Sequence, residues 1–353
     1  MKRTILSGFF LGLLALGWVA GPGRGRAAGS EVSGQGKLRF RVVYTSTHLP
    51  EEAQKVLKGA HGGFFTDLRP GKGETYFSLK GAGIIQISPD LKKTRMIATH
   101  EDMKKTNLHN TTLWYAKDGT PFLTWPGNEA NKVFTTALDG KLLHTLGTPK
   151  DIDLGLGLAN DYFAKGGAFI PTDTAYLDGT LYIATGYSKL DAVLTAKVTA
   201  TKPFKAEWHD LAFGGKGDGP ALFGTGHGIT VPPGTNRIDV ADRPNSEIKR
   251  FTRYGQYMSH LSTPKGSFPC DIYYLGNYAI IGALHGVDRS KGAPIYIYEN
   301  DQLISTIMPK EELGLENFQH IHNAILREVN GKLYVIAQAW NPGDFAILEH
   351  VTD

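Results

Sequence analysis

The sequence predicts an all-β fold, a six-bladed propeller, and three observations carry that expectation. No stretch sustains a helical period, short alternating runs separated by glycine turns fill the chain, and one phrase recurs at intervals near fifty residues. Glycine supplies 43 of 353 residues, well above the roughly 7% of an average chain, as a fold rich in tight turns requires.

Alternating strands are predicted at Lys37 to Thr45, Thr75 to Leu79, Gly83 to Ile87, Thr180 to Thr185, Arg237 to Asp242, Ile248 to Thr252, Pro294 to Tyr298 and Lys332 to Gln338. Asp118-Gly119, Asp139-Gly140, Asp178-Gly179 and Asn330-Gly331 are the hairpin turns between them. Short helices are expected at Pro50 to Gly59 and around Pro309 to Leu313. Thr148 to Ala168 and Leu190 to Gly217 read as long blade connections.

The recurring phrase opens each blade. It appears as Leu108-His109-Asn110-Thr111, Pro171-Thr172-Asp173-Thr174, Gly226-His227-Gly228-Ile229, Pro269-Cys270-Asp271-Ile272 and Ile321-His322-Asn323-Ala324, with a degenerate first copy near Gly62. The clear copies are spaced by 63, 55, 43 and 52 residues. A period of this length built from strands alone is a propeller, in which every blade buries its faces against its neighbours. The last opening leaves residues for only three strands, so Lys37 to Thr45 is expected to complete the sixth blade. The propeller then spans 37–353.

The second residue of each phrase defines a slot on the innermost strand, facing the central channel. It reads His109, Thr172, His227, Cys270 and His322. The histidines fall on blades two, four and six, about 120° apart around the axis, which is the arrangement of a zinc with three protein ligands and an open position. His285 and His320 are candidates to approach the channel. His48, His61, His100, His144, His209, His260 and His350 fall outside the pattern and read as surface or turn residues. Trp114, Trp125, Trp208 and Trp340 are expected to pack between blades.

The chain carries 38 basic and 34 acidic side chains, a formal charge of +4. Lys2, Arg3, Arg24 and Arg26 lie in the first 28 residues, which hold no acid, so the remainder is neutral and gives no sign of a nucleic-acid partner. Met1-Lys2-Arg3 followed by the apolar run Ile5 to Ala20 reads as a signal peptide over 1–27, with a secreted or periplasmic product and no membrane association once it is cleaved. Cys270 is the only cysteine, which excludes an internal disulfide and any CxxC motif.

The blade openings, with Ile238-Asp239-Val240-Ala241-Asp242-Arg243 between them, resemble NHL repeats. More closely, Pro171-Thr172-Asp173 leading to Tyr182-Ile183-Ala184-Thr185-Gly186-Tyr187, Phe213 to Pro220 leading to His227-Gly228, and Val240 to Arg243 resemble the peptidyl-α-hydroxyglycine α-amidating lyases. That resemblance implies a zinc held by His109, His227 and His322, a channel tyrosine at Tyr187 and a substrate-binding arginine at Arg243. Lys80 stands where the family has a second arginine, keeping the charge without the bidentate fork. The resemblance also implies a calcium, whose aspartate is replaced here by Asn323. It implies cleavage of a carbinolamide to an amide and glyoxylate, with a small-molecule or peptide substrate in the channel. The alternative is a non-catalytic propeller that presents its blade loops to another protein or a glycan.

Overall fold

A computed structural model describes residues 31–150, 155 and 157–352. The leader at 1–27 lies outside the described residues. Among the described residues no helix is long and apolar enough to cross a membrane.

Six antiparallel sheets form the blades. Blade one is Phe65–Thr66, Thr75–Leu79, Gly83–Ile87 and Thr94–Met96, and blade two is Thr112–Tyr115, Pro121–Gly127, Lys132–Thr136 and Leu142–Leu146. Blade three is Asp173–Leu177, Thr180–Ala184, Ala192–Thr201 and Phe204–Gly214. Blade four is Gly226–Thr230, Arg237–Asp242, Glu247–Thr252 and Tyr257–Ser262, and blade five is Tyr273–Leu275, Tyr278–Gly282, Ile295–Glu299 and Gln302–Ile307. Blade six takes Ile321–Val329, Lys332–Ala339 and Asp344–His350 from the C-terminus and Leu38–Thr45 from the N-terminal side.

The ring therefore closes as the sequence predicts. Phe40 pairs with His350, Arg41 with Glu349 and Val42 with Leu348. Ser33–Gln35 adds a short edge strand, and the Gln35 amide donates to Ser305 Oγ on blade five, tying the closure to the next blade.

The turns do what their residues allow. Asp178 and Gly179 have φ of 45° and 82°, and Asn330 and Gly331 have 52° and 75°, the paired left-handed conformation of a type I′ hairpin. One expectation is corrected here. Leu190 to Gly217 is mostly not a connection, because Ala192–Thr201 and Phe204–Gly214 pair as the outer hairpin of blade three. Both strands leave polar residues partly exposed, so their apolar alternation is weak.

The buried apolar residues form five clusters between the blades, the largest spanning blades five, six and one. Tyr76 and Ile84 of blade one pack with Leu123 and Trp125 of blade two, and Trp114 of blade two stacks on Tyr176 of blade three at 3.9 Å. Phe77 of blade one stacks on Phe345 of blade six at 5.7 Å, sealing the joint between first and last blades. Apolar burial at every joint leaves the channel itself to polar side chains.

Candidate metal centre

The inner strands begin at the slot, and two of the histidines sit where the pairing is irregular. Register shifts between Gly226 and Ile229, and between Ile321 and Asn323, span His227 and His322. A bulge re-aims a side chain that a regular strand would direct elsewhere.

Each slot histidine is locked by the next blade. The Nδ1 of His109 bonds the Thr172 carbonyl at 2.6 Å, that of His227 the Cys270 carbonyl at 2.7 Å, and that of His322 the Gly62 carbonyl at 2.7 Å. These carbonyls belong to the slot residues of blades three, five and one. A carbonyl only accepts, so each Nδ1 carries the proton and each Nε2 presents a lone pair. The Nε2 of His109 lies 3.2 Å from that of His227 and 3.0 Å from that of His322. All three rings are 0% exposed, and burial holds their pKa values well below the ordinary 6.5, so they are neutral at pH 7. Lone pairs this close suit a shared cation, and at His227 the Arg243 guanidinium stands beside the lone pair. With bonds of about 2.0–2.1 Å, a tetrahedral ion separates its nitrogen ligands by roughly 3.3 Å, close to the distances from His109 to His227 and to His322.

His61 corrects the expectation that it is a surface or turn residue. Its ligand atom lies with those of His109 and His322 within 4.8 Å of one another, so these three are a group able to hold a metal ion. Its ring meets both others edge-on at 4.4 Å, and burial, then Arg243, push its pKa down to about 3. Asn107 Nδ2 lies 3.1 Å from His61 Nδ1. An amide nitrogen donates, so the His61 proton sits on Nε2, which faces the Tyr187 hydroxyl at 3.4 Å. The signal was its place next to Gly62, the slot residue of the degenerate first phrase.

Tyr187 closes the cluster from above. Its hydroxyl is 3.0 Å from His227 Nε2 and 3.2 Å from His109 Nε2. Gly186 makes this possible, because a Cβ there would stand 2.3 Å from the Gly226 carbonyl. Burial pushes the phenol up from its ordinary value while Arg243 works against it.

Arg243 is 7% exposed, and no carboxylate among the described residues pairs with it. Its Nη2 donates to His227 Nε2 at 2.6 Å and to the Cys270 sulfur at 3.1 Å, and Nη1 donates to the Tyr187 hydroxyl at 3.2 Å. Asp242, its neighbour in sequence, is engaged elsewhere. One oxygen accepts the Gly224 and Thr225 amides, and the other meets the buried Lys249 ammonium at 3.0 Å. Asp242 thus fixes the turn from which Arg243 projects.

The other candidates fall outside this cluster. Lys80 pairs with Glu129 at 2.7 Å, both side chains about half exposed. Asn323 accepts the Phe64 amide at 3.2 Å and donates to Asp271 at 2.6 Å, so its oxygen already has a backbone donor. His285 and His320 do approach the channel. Their rings lie 4.6 Å apart, and His320 contacts Trp340 at 5.7 Å, which stacks on His61 at 5.2 Å. Trp340 therefore continues the aromatic wall of the channel.

No family model matches the chain, and no curated protein matches it. Solved structures do. The streptogramin B lyase structure aligns with a TM-score of 0.50 at 12% identity, covering 84% of this chain and 95% of that one. Virginiamycin B lyase from Staphylococcus aureus gives 0.47 at 12% identity, over 83% and 96%. Kuenenia stuttgartiensis hydrazine synthase gives 0.37 at 13% identity over 64% of this chain, which spans 55% of that one. At such identity the likeness is one of fold. The protein is a six-bladed β-propeller, similar in structure to lyase propellers, with a buried histidine cluster able to hold a metal ion.

Proposed function

We propose that this protein is an exported, zinc-class metal-dependent lyase that cleaves a carbinolamide of the peptidyl-α-hydroxyglycine type. The observation that carries the reading is the convergence of three neutral imidazole lone pairs beside a buried arginine without a carboxylate partner. His109, His227 and His322 are the metal ligands in this proposal. His61, with its proton on Nε2, faces the site without joining it.

The reaction is R–CO–NH–CH(OH)–COO⁻ giving R–CO–NH₂ and OHC–COO⁻. The O–H electrons form the new C=O bond, the C–N electrons pass to nitrogen, and the hydroxyl proton ends on the amide. A bound zinc-class ion supplies a Lewis acid that lowers the pKa of a coordinated hydroxyl. Arg243 is placed to hold the substrate carboxylate, because a buried guanidinium lacking an acid favours an anionic ligand. The Tyr187 Oη is placed to move the hydroxyl proton toward the departing nitrogen. Export rests on the basic, apolar leader at 1–27.

The test is elemental analysis of the purified protein, followed by measurement of glyoxylate release from α-hydroxyhippurate. About one zinc-class ion per chain and metal-dependent glyoxylate support the reading. Metal without glyoxylate overturns the lyase. No metal after incubation with zinc overturns the site, and the binding-propeller alternative then leads.

A further inference from the structure

The inner strands run from the histidine layer to a funnel of about 350 Å³ at the other end of the channel, lined by residues from five blades. Among the described residues no lysine, arginine or histidine lines it. Phe65, Tyr115, Tyr176 and Tyr273 supply an aromatic wall, and Asp173 and Asp271 stand where the funnel meets the channel.

These two aspartates line the same funnel, and neither has a cationic partner among the described residues. Asp173 is 3% exposed and accepts the Thr174 amide at 2.7 Å and the Ile229 amide at 2.9 Å. Asp271 accepts the Ile272 amide at 2.7 Å and Asn323 Nδ2 at 2.6 Å. Each oxygen thus takes one donor and keeps acceptor capacity. Burial pushes both carboxyls up, and the Asp271 charge raises Asp173 further, so the pair favours sharing a proton and holding one negative charge. A second, independent observation lies beside them. Asn110 is 1% exposed, stands behind the lining with its amide toward Asp173, and leaves its Oδ1 without a hydrogen-bond partner.

We propose that this funnel is a second ligand site, for a small organic molecule bearing a primary ammonium group. The nitrogen sits on Asp173 and Asp271, with Asn110 behind them, and the apolar body lies against the aromatic wall. A primary ammonium has three N–H donors, and the two carboxylates of this floor keep acceptor capacity on their oxygens. Its single charge matches a carboxylate pair holding one proton, and aromatic faces add cation–π attraction. The volume lies within the range of small-molecule pockets. The site is independent of the lyase reading, since it uses none of the histidine cluster.

The experiment is calorimetric titration of the full chain at pH 7 with phenethylamine, 2-phenylethanol and calcium chloride, before and after metal removal. Phenethylamine is expected to bind at least about tenfold tighter than the alcohol in both preparations. Asp271→Asn is expected to weaken the amine by about tenfold or more. Leu68→Lys, at a half-exposed rim position that leaves folding intact, adds a repelling charge and weakens it about threefold. Equal binding of amine and alcohol, or no amine binding up to about 10 mM, overturns the proposal. So does calcium binding that Asp271→Asn abolishes while the amine fails to bind. If Asp271→Asn does not fold, unchanged amine affinity in Leu68→Lys overturns it.

Discussion

His109 and His322 meet Nε2 to Nε2 at 3.0 Å while each ring commits its Nδ1 proton to a carbonyl, at Thr172 and Gly62. Two buried acceptors at that distance, with no proton between them, are held apart from water by the whole ring of blades. His109 also meets His227, so it is the hub of the cluster. His109→Ala is expected to reduce bound zinc from about one ion per chain to none. Elemental analysis checks this, with circular dichroism showing that the sheets persist.

His227 and His61 separate by the same measurement. His227 shares the tautomer of the other two slot residues, whereas His61 takes a donor from Asn107 on Nδ1. His227→Ala is therefore expected to lose the metal, and His61→Ala to retain about one equivalent. The reverse pattern would assign the site to His61, His109 and His322.

Tyr187→Phe keeps the ring and removes only the hydroxyl that contacts three histidines and Arg243. Metal content is expected to stay unchanged while kcat for glyoxylate release falls by about 10²–10⁴. An unchanged kcat would remove the phenol from proton transfer.

Arg243→Lys tests carboxylate recognition. The ammonium keeps charge but not the fork, so KM for a carboxylate substrate is expected to rise about tenfold, and less for its methyl ester. Equal effects on both substrates would mean that Arg243 only supports the cluster.

Asp191 gives a pH dependence away from the metal. Burial pushes its carboxyl from the ordinary 3.8 up to about 6, although Gly226 and Lys216 work against that. The folded state then holds the proton more tightly than the unfolded chain does. Its contribution is fully present below pH 4 and is lost as pH rises through about 6. The difference is roughly 3 kcal/mol at most. Denaturant unfolding between pH 4 and 7 is expected to show stability falling in this window, less steeply in Asp191→Asn.

Much of this protein was legible in its sequence because strand periodicity and blade repetition are local properties. The slot histidines followed from counting, since equal positions in successive repeats occupy equal positions around an axis. The closing strand followed from the three strands left after His322. The hairpin from Ala192 to Gly214 was hidden because its outer faces are partly polar and lack a sharp alternation.

Tertiary structure alone decided the rest. His61 precedes a degenerate phrase, so only the folded ring shows that it meets His109 and His322. The tautomers depend on carbonyls one blade away, and Asp242, taken by Lys249, does not pair with its neighbour Arg243. Asp173 and Asp271 are 98 positions apart and line one funnel only when blades three and five turn their inner strands toward one channel. The repeat thus determined which residues reach the axis. Burial and pairing between blades determined their protonation, and with it the chemistry open to them.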